Sequence, residues 1–227
     1  MNSTLQRLAA EFTGTFTLVF AGTGAIVSNE ISGGGLGQTG IALAFGLAVW
    51  VMIATFADRS GAHFNPAVSL ALAAAGRTPW SQVPGYVAAQ CLGAVGASWL
   101  LRTLVPAART LGVTPPSGSD AHSFVFETVL TLVLMLVILA VSDPNRKPDP
   151  TAGLAIGATV ALEALFAGPV CGASMNPARS LGPALVSGEM GHLWIYLGAP
   201  CLGALLAVPF CRCNRGAACC SLSSTTP

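Results

Sequence analysis

The sequence predicts an all-α membrane protein in which six transmembrane helices surround two short re-entrant half-helices. Three observations predict this fold class: an apolar composition, six apolar stretches long enough to cross a bilayer, and two Asn-Pro-Ala motifs, each followed by a run too short to cross. Hydrophobic residues make up 53% of the 227 residues and charged residues 8%, with a mean hydropathy of +0.69. Because a soluble domain carries about 25% charged residues, the deficit favours a lipid environment.

The six long stretches each hold roughly the 20 residues that a helix needs to cross the hydrocarbon core. They cover approximately residues 8–28, 37–57, 80–101, 123–142, 152–168 and 192–211. The fifth is close to the lower limit, and we expect it to extend into its flanks. The first lacks a small-residue cleavage site followed by a polar region, so we interpret it as a span and not as a signal peptide.

The two short helices are predicted in the gaps after the second and fifth spans. Proline at the first helical position has helical φ and lacks an N–H that would be unpaired there, and asparagine before it is a favoured N-cap. A helix of about 10 residues is roughly 15 Å long, which is half a bilayer core. The motifs are Asn65-Pro66-Ala67, followed by residues 68–75, and Asn176-Pro177-Ala178, followed by residues 179–186.

The two halves of the chain are similar to each other. The two asparagines are 111 residues apart, and the same offset pairs Gly46 with Gly157 and Ser69 with Ser180. Because each half has three spans, the second copy must insert upside down. Inverted repeats with broken helices at their interface indicate a permeation site near the midplane. We therefore predict one channel domain over residues 1–211, with repeats at about 6–105 and 121–211, and a Cys/Ser-rich tail over 212–227.

These motifs resemble the aquaporin/aquaglyceroporin (major intrinsic protein) family. The resemblance rests on both Asn-Pro-Ala motifs, on Ala10-Glu11-Phe12, and on residues 60–68 and 168–184, and it extends over about residues 6–211. The last segment is similar to the nodulin-like branch and its bacterial relatives. The family implies a right-handed bundle, a homotetramer in membrane lipid with one pore per subunit, and asparagines that donate to a solute oxygen.

The resemblance also implies a narrow filter outside the paired asparagines. Its four positions correspond to Phe45, Ala164, Ala173 and Arg179. The arginine would donate to a passing oxygen and repel cations. Strict water channels of the family tend to have histidine where this chain has Ala164, and the nodulin-like branch usually has tryptophan or another residue where this chain has Phe45. We therefore expect a ring wide enough for water and a small uncharged polyol, urea or metalloid hydroxide.

Three carboxylates fall inside predicted spans, where an unpaired charge is costly. We expect Glu11 and Glu127 to accept hydrogen bonds from the non-helical backbone before each half-helix, as the family resemblance favours; a proton relay is the alternative. Glu163 adjoins Ala164, and its sequence position leaves open whether it faces the pore.

Two further residues are candidates for the pore lining. His63 lies two positions before Asn65 and has either a packing or a gating role. Cys171 lies just before the second motif, where a mercurial would reach it if its thiol faced the pore. The tail cysteines Cys211, Cys213, Cys219 and Cys220 match no familiar zinc spacing.

Basic residues predict the orientation. With a cytoplasmic N-terminus, seven of the ten lie inside and three outside, so both termini are predicted to be cytoplasmic in a cell (plasma or inner) membrane. The net charge of +1 offers nothing for nucleic acid.

The predicted function is passive conduction of water and small neutral solutes, with exclusion of protons and ions. Two alternatives stay open: a strictly water-selective channel, and an ion-coupled secondary transporter, which can also use broken helices. The sequence contains no nucleophile–base set and no ligand cluster at metal spacing, so we predict no enzyme activity, no metal and no cofactor.

Overall fold

The computed structural model describes residues 3–108, 110–142 and 151–215, and the regular elements in these ranges are helices. A short 3₁₀ turn, Trp80–Gln82, precedes the fourth α-helix. The α-helices are α1 (Thr4–Ile31), α2 (Gly37–Ser60), α3 (Pro66–Ala74), α4 (Val83–Leu104), α5 (Asp120–Val141), α6 (Ala152–Cys171), α7 (Pro177–Ser187) and α8 (Leu193–Arg215).

Six of these helices, α1, α2, α4, α5, α6 and α8, are long and apolar enough to cross a membrane. The predicted fold class of six spans and two half-helices is confirmed. Two helices extend well past their predicted ends: α6 continues through Pro169 to Cys171, and α8 ends at Arg215. Residues 216–227 of the predicted tail, with Cys219 and Cys220, lie outside the described residues.

Helix α1 begins earlier than predicted because two side chains cap its N-terminus. The hydroxyl of Ser3 accepts from the backbone N–H of Gln6, and the Gln6 side chain accepts from the backbone N–H of Ser3. This reciprocal capping box pairs two amides that would otherwise lack partners at the helix start.

The packing of the helices follows the repeat. Helix α1 packs on α2 and α4, while α5 packs on α6 and α8, and α2 packs on α6 where the halves meet. Each half-helix also contacts a span of the other half: α3 packs on α8, and α7 packs on α4. The two half-helices are therefore held between the repeats.

Glycines allow the closest of these crossings. A Cβ atom at Gly46 or at Gly157 would lie 2.5 Å from the carbonyl oxygen of the other. A Cβ atom at Gly93 of α4 would lie 2.5 Å from the Phe12 carbonyl oxygen of α1, and Gly203 of α8 faces the Thr128 carbonyl of α5 in the same way. Small residues thus bring backbones into contact, as is typical of membrane helices.

The half-helices begin at their prolines, and each is capped by the preceding asparagine. The Asn65 side-chain oxygen accepts from the amide of Ala67, and that of Asn176 accepts from the amides of Ala178 and Arg179. With 9 and 11 residues, α3 and α7 are about 14 and 17 Å long, close to half of a hydrocarbon core.

Candidate functional site

Two non-helical links lead into the half-helices: residues 61–64 before α3 and residues 172–175 before α7. Four non-glycine residues in them have positive φ, and each such residue costs about 1–3 kcal/mol and persists only where its surroundings hold it in place. They are Ala62 (53°), Phe64 (51°), Ala173 (42°) and Met175 (52°). The links therefore require partners that fix their backbone.

Glu11 holds the first link. Its carboxylate is fully buried in α1 and accepts from the backbone N–H groups of His63 at 2.9 Å and Phe64 at 2.7 Å. The Ser60 hydroxyl (2.6 Å) and the Gln90 side-chain amide (2.8 Å) donate to the same carboxylate. Four donors thus surround one buried acid, which meets the requirement that polar groups at membrane depth be paired inside the protein.

Glu127 occupies the corresponding place in the second half. Its fully buried carboxylate accepts from the backbone N–H groups of Ser174 and Met175, each at 2.8 Å. Glu11 and Glu127 therefore make equivalent contacts: each carboxylate accepts from two consecutive backbone amides of its own link.

The side chain of each asparagine donates a hydrogen bond to the backbone of the link in the other half. The Asn65 amide nitrogen donates to the Met175 carbonyl oxygen at 2.7 Å, and the Asn176 amide nitrogen donates to the Phe64 carbonyl oxygen at 2.9 Å. A side-chain amide has two N–H groups, so each asparagine has one further N–H to offer. The structure uses the other N–H group of each asparagine to join the two half-helices.

A cavity of about 530 Å³ passes both asparagines. It begins at an end that includes Arg7, Arg59 and Arg77, which we call the basic end. It then continues past His63 and reaches the region of the predicted filter. The filter residues on its wall are Phe45, Ala173 and Arg179. A continuous path therefore joins the basic end to the paired asparagines and the arginine.

Arg179 is held firmly at the far end of this cavity. The residue is 2% exposed, and its Nη1 donates to the Gly112 carbonyl oxygen at 2.7 Å. The guanidinium carbon lies 5.0 Å from the centroid of the Phe45 ring, a cation–π contact. Ala164, the remaining predicted filter residue, is buried in α6 and is not among the residues that line the cavity.

The other candidate residues separate clearly. His63 lines the cavity, with its Nδ1 3.0 Å from the Ser69 hydroxyl and its ring 4.9 Å from that of Tyr86. Cys171 is fully buried, and its thiol donates to the Ala167 carbonyl at 3.5 Å. Glu163 is buried, and neither of its carboxylate oxygens has a hydrogen-bond partner among the described residues. Neither Cys171 nor Glu163 is on the cavity wall.

Two tyrosines also support the links, and sequence reasoning missed them. The Tyr86 hydroxyl donates to the Ser60 carbonyl oxygen at 2.8 Å, and the Tyr196 hydroxyl donates to the Cys171 carbonyl oxygen at 2.7 Å. Each therefore pairs a carbonyl at the end of α2 or α6. Their separation of 110 residues, close to the offset of the repeat, is the signal that could have found them.

Comparison with known proteins gives consistent matches over most of the chain. A family model described as "Major intrinsic protein" matches residues 1–210. Aquaporin NIP1-1 of Zea mays is 50% identical over 202 residues, which cover 88% of this chain and 72% of the maize protein. Nodulin-26 of Glycine max is 48% identical over 202 residues, which cover 88% of this chain and 74% of the soybean protein.

A solved structure matches as well. The X-ray structure of the aquaglyceroporin from Plasmodium falciparum superimposes with a TM-score of 0.84 and 29% sequence identity, covering 92% of this chain and 95% of that one.

Proposed function

Because the chain belongs to the major intrinsic protein family, we propose that its cavity is a pore for water and for small uncharged solutes such as glycerol, urea or a metalloid acid. The protein is an integral membrane protein and a channel, not an enzyme. The observation that carries the proposal is the cavity that runs from the basic end past Asn65 and Asn176 to Arg179.

The paired asparagines would orient a solute at the centre of the pore. Each uses one amide N–H to hold the opposite link, and the second N–H would donate to a solute oxygen. The helices that begin at Pro66 and Pro177 both have their N-termini here. Their positive dipole ends, together with the two N–H donors, would oppose passage of protons and cations.

The filter would set the size limit. Arg179 and Phe45 would form a polar and an apolar wall, and Ala173 would leave a third side small. Ala164 would lie behind the fourth side, since it is buried and does not line the cavity. The structural similarity to an aquaglyceroporin supports a ring that admits more than water. Since Arg179 is fixed by Gly112 and the Phe45 ring, its position would be set before a solute arrives.

The protein would have a defined orientation in the membrane and would assemble from several subunits. The basic end would face the cytoplasm, with both termini on that side of a cell membrane, because cytoplasmic segments carry an excess of lysine and arginine. The subunit would assemble as a homotetramer with one pore in each copy, and residues 1–211 would form the channel domain.

Purified protein in liposomes tests the solute range directly. We expect stopped-flow measurements to show faster entry of glycerol, urea or boric acid than into empty vesicles. Fast water flow with none of these solutes entering would instead identify a strict water channel. Saturating flux that depends on an ion gradient would identify a secondary transporter.

The filter is tested by Ala164→His. An imidazole is longer than the alanine methyl group and would reach from behind the cavity wall into the ring. Glycerol permeability should therefore fall by about tenfold, which corresponds to a barrier increase of about 1.4 kcal/mol. Ala164→Gly is the matched control and should keep glycerol permeability. Equal glycerol entry through both variants would show that residue 164 does not bound the filter.

A further inference from the structure

A side chain outside the predicted filter joins α2 and α6, the helices that carry the predicted filter residues Phe45 and Ala164. Gln38 lies in the first turn of α2, and its Nε2 donates to the carbonyl oxygen of Ala164 in α6 at 2.6 Å. The bond links positions 126 residues apart. Its acceptor is the backbone of a predicted filter residue, and Phe45 lies two turns further along the donor's own helix.

Helix α6 leaves a notch for this side chain. A Cβ atom at Gly168, one turn after Ala164, would overlap the Gln38 amide nitrogen. Glycine at 168 therefore creates the space in which the amide reaches the carbonyl. The donor and the notch are independent features of two helices, and they fit each other.

The hydrogen bond from Gln38 lies next to the turn of α6 that lacks one intrahelical hydrogen bond. Pro169 is inside the helix, and because proline lacks an N–H, the Leu165 carbonyl loses its usual intrahelical donor and the turn before the proline is strained. A second anchor lies towards the basic end, where Gly46 and Gly157 bring α2 and α6 into backbone contact. Gln38 thus adds a direct link to α2 beyond this crossing, while Ser117 and Tyr196 hold the carbonyl groups at the end of α6.

We propose that Gln38 is a positioning residue that sets the width of the filter between Phe45 and Ala164 by tying the α6 backbone to α2. The inference rests on the proposed function, since it names what fixes the dimension of that same pore. Without this hydrogen bond, the segment of α6 around Ala164 moves away from α2. A wider filter then raises glycerol permeability more than water permeability, because glycerol is the larger solute and is closer to the size limit.

Two different changes should break the tie. Gln38→Leu keeps the bulk of the side chain and removes the donor, while Gly168→Ala keeps the donor and fills its notch. Each should raise the ratio of glycerol to water permeability by about threefold, which corresponds to a change of about 0.65 kcal/mol in the difference between the two permeation barriers. The double variant should show no more than either single change, because both remove the same contact. Thr39→Ala, at the exposed neighbouring position, is the control and should keep the wild-type ratio.

The readout is the permeability ratio in liposomes. Both permeabilities scale with the number of folded channels, so a variant that only lowers the amount of folded protein leaves the ratio unchanged. A wild-type ratio in Gln38→Leu, a lowered ratio, or additive effects in the double variant would overturn the role of Gln38. If Gly168→Ala yields no folded protein, Gln38→Leu alone decides. Failure of the wild-type protein to conduct glycerol, urea and boric acid would instead overturn the proposed solute range, so the two failures are distinguishable.

Discussion

Three buried carboxylates in membrane-spanning helices differ in what surrounds them. Glu11 accepts from four donors, and Glu127 accepts from two consecutive backbone amides. Glu163 has no hydrogen-bond partner for either oxygen among the described residues. Because an unsatisfied buried polar group costs free energy and a satisfied one does not, the same residue type has opposite consequences for stability at these positions.

The supporting acids should differ in how much stability they provide. Glu11→Ala leaves four donors without their acceptor, and we expect it to lower the free energy of unfolding by about 3 kcal/mol or more, with about half that loss for Glu127→Ala. Thermal unfolding of both variants in detergent measures the order. A Glu127→Ala protein that is less stable than Glu11→Ala would contradict it.

Glu163 should be dispensable. Glu163→Leu replaces an unpartnered carboxyl by an apolar group of similar size, so stability should stay unchanged or rise by about 1 kcal/mol. Water permeability should also stay unchanged, because residue 163 is not on the cavity wall. Glu127→Leu is the matched control and should destabilise; a loss of stability in Glu163→Leu would reveal a partner for this acid.

At the scale of the elements, the sequence was most informative where one dipeptide defines a local structure. Each Asn-Pro predicted a helix start, and both half-helices begin at the proline with asparagine as the cap. The cross-links from each asparagine to the opposite link were not predictable, because they depend on how the two half-helices meet. The same holds for Gln38 and Ala164, which no sequence spacing connects.

The crossing of α2 and α6 should depend on glycine. Gly157→Ala would place its Cβ atom 2.5 Å from the Gly46 carbonyl oxygen, and since that obstacle is backbone, the helices must separate at a cost of about 1–3 kcal/mol. Gly191→Ala is the control, because no atom lies within 4 Å of a Cβ atom at that position. Equal melting temperatures for the two variants would show that this contact is not tight.

At the scale of the whole molecule, hydropathy and the repeat predicted the number of spans and the pairing of the two halves. Which side of a helix faces the cavity was less predictable, since one residue turns the helix by about 100°. Glu163 and Cys171 illustrate this: each is next to or near a filter position, and each is buried away from the cavity wall.

The course of the pore can be traced with a mercurial. The wild-type channel should keep its water permeability, because the Cys171 thiol is buried against the Ala167 carbonyl. Ala173→Cys places a thiol on the cavity wall and should make the channel sensitive. Inhibition of the wild type that Cys171→Ser abolishes would place the Cys171 thiol in the pore.

The central claim is that water passes Asn65 and Asn176, each hydrogen-bonded to the opposite link, while protons do not. Osmotic shrinkage of liposomes that contain the purified protein, recorded together with the decay of a pH gradient, tests both parts in one preparation. The account predicts shrinkage about tenfold faster than in empty liposomes, as a barrier lowered by about 1.4 kcal/mol would give, with an unchanged decay of the pH gradient. Shrinkage at the rate of empty liposomes, or a rapid loss of the pH gradient, would contradict it.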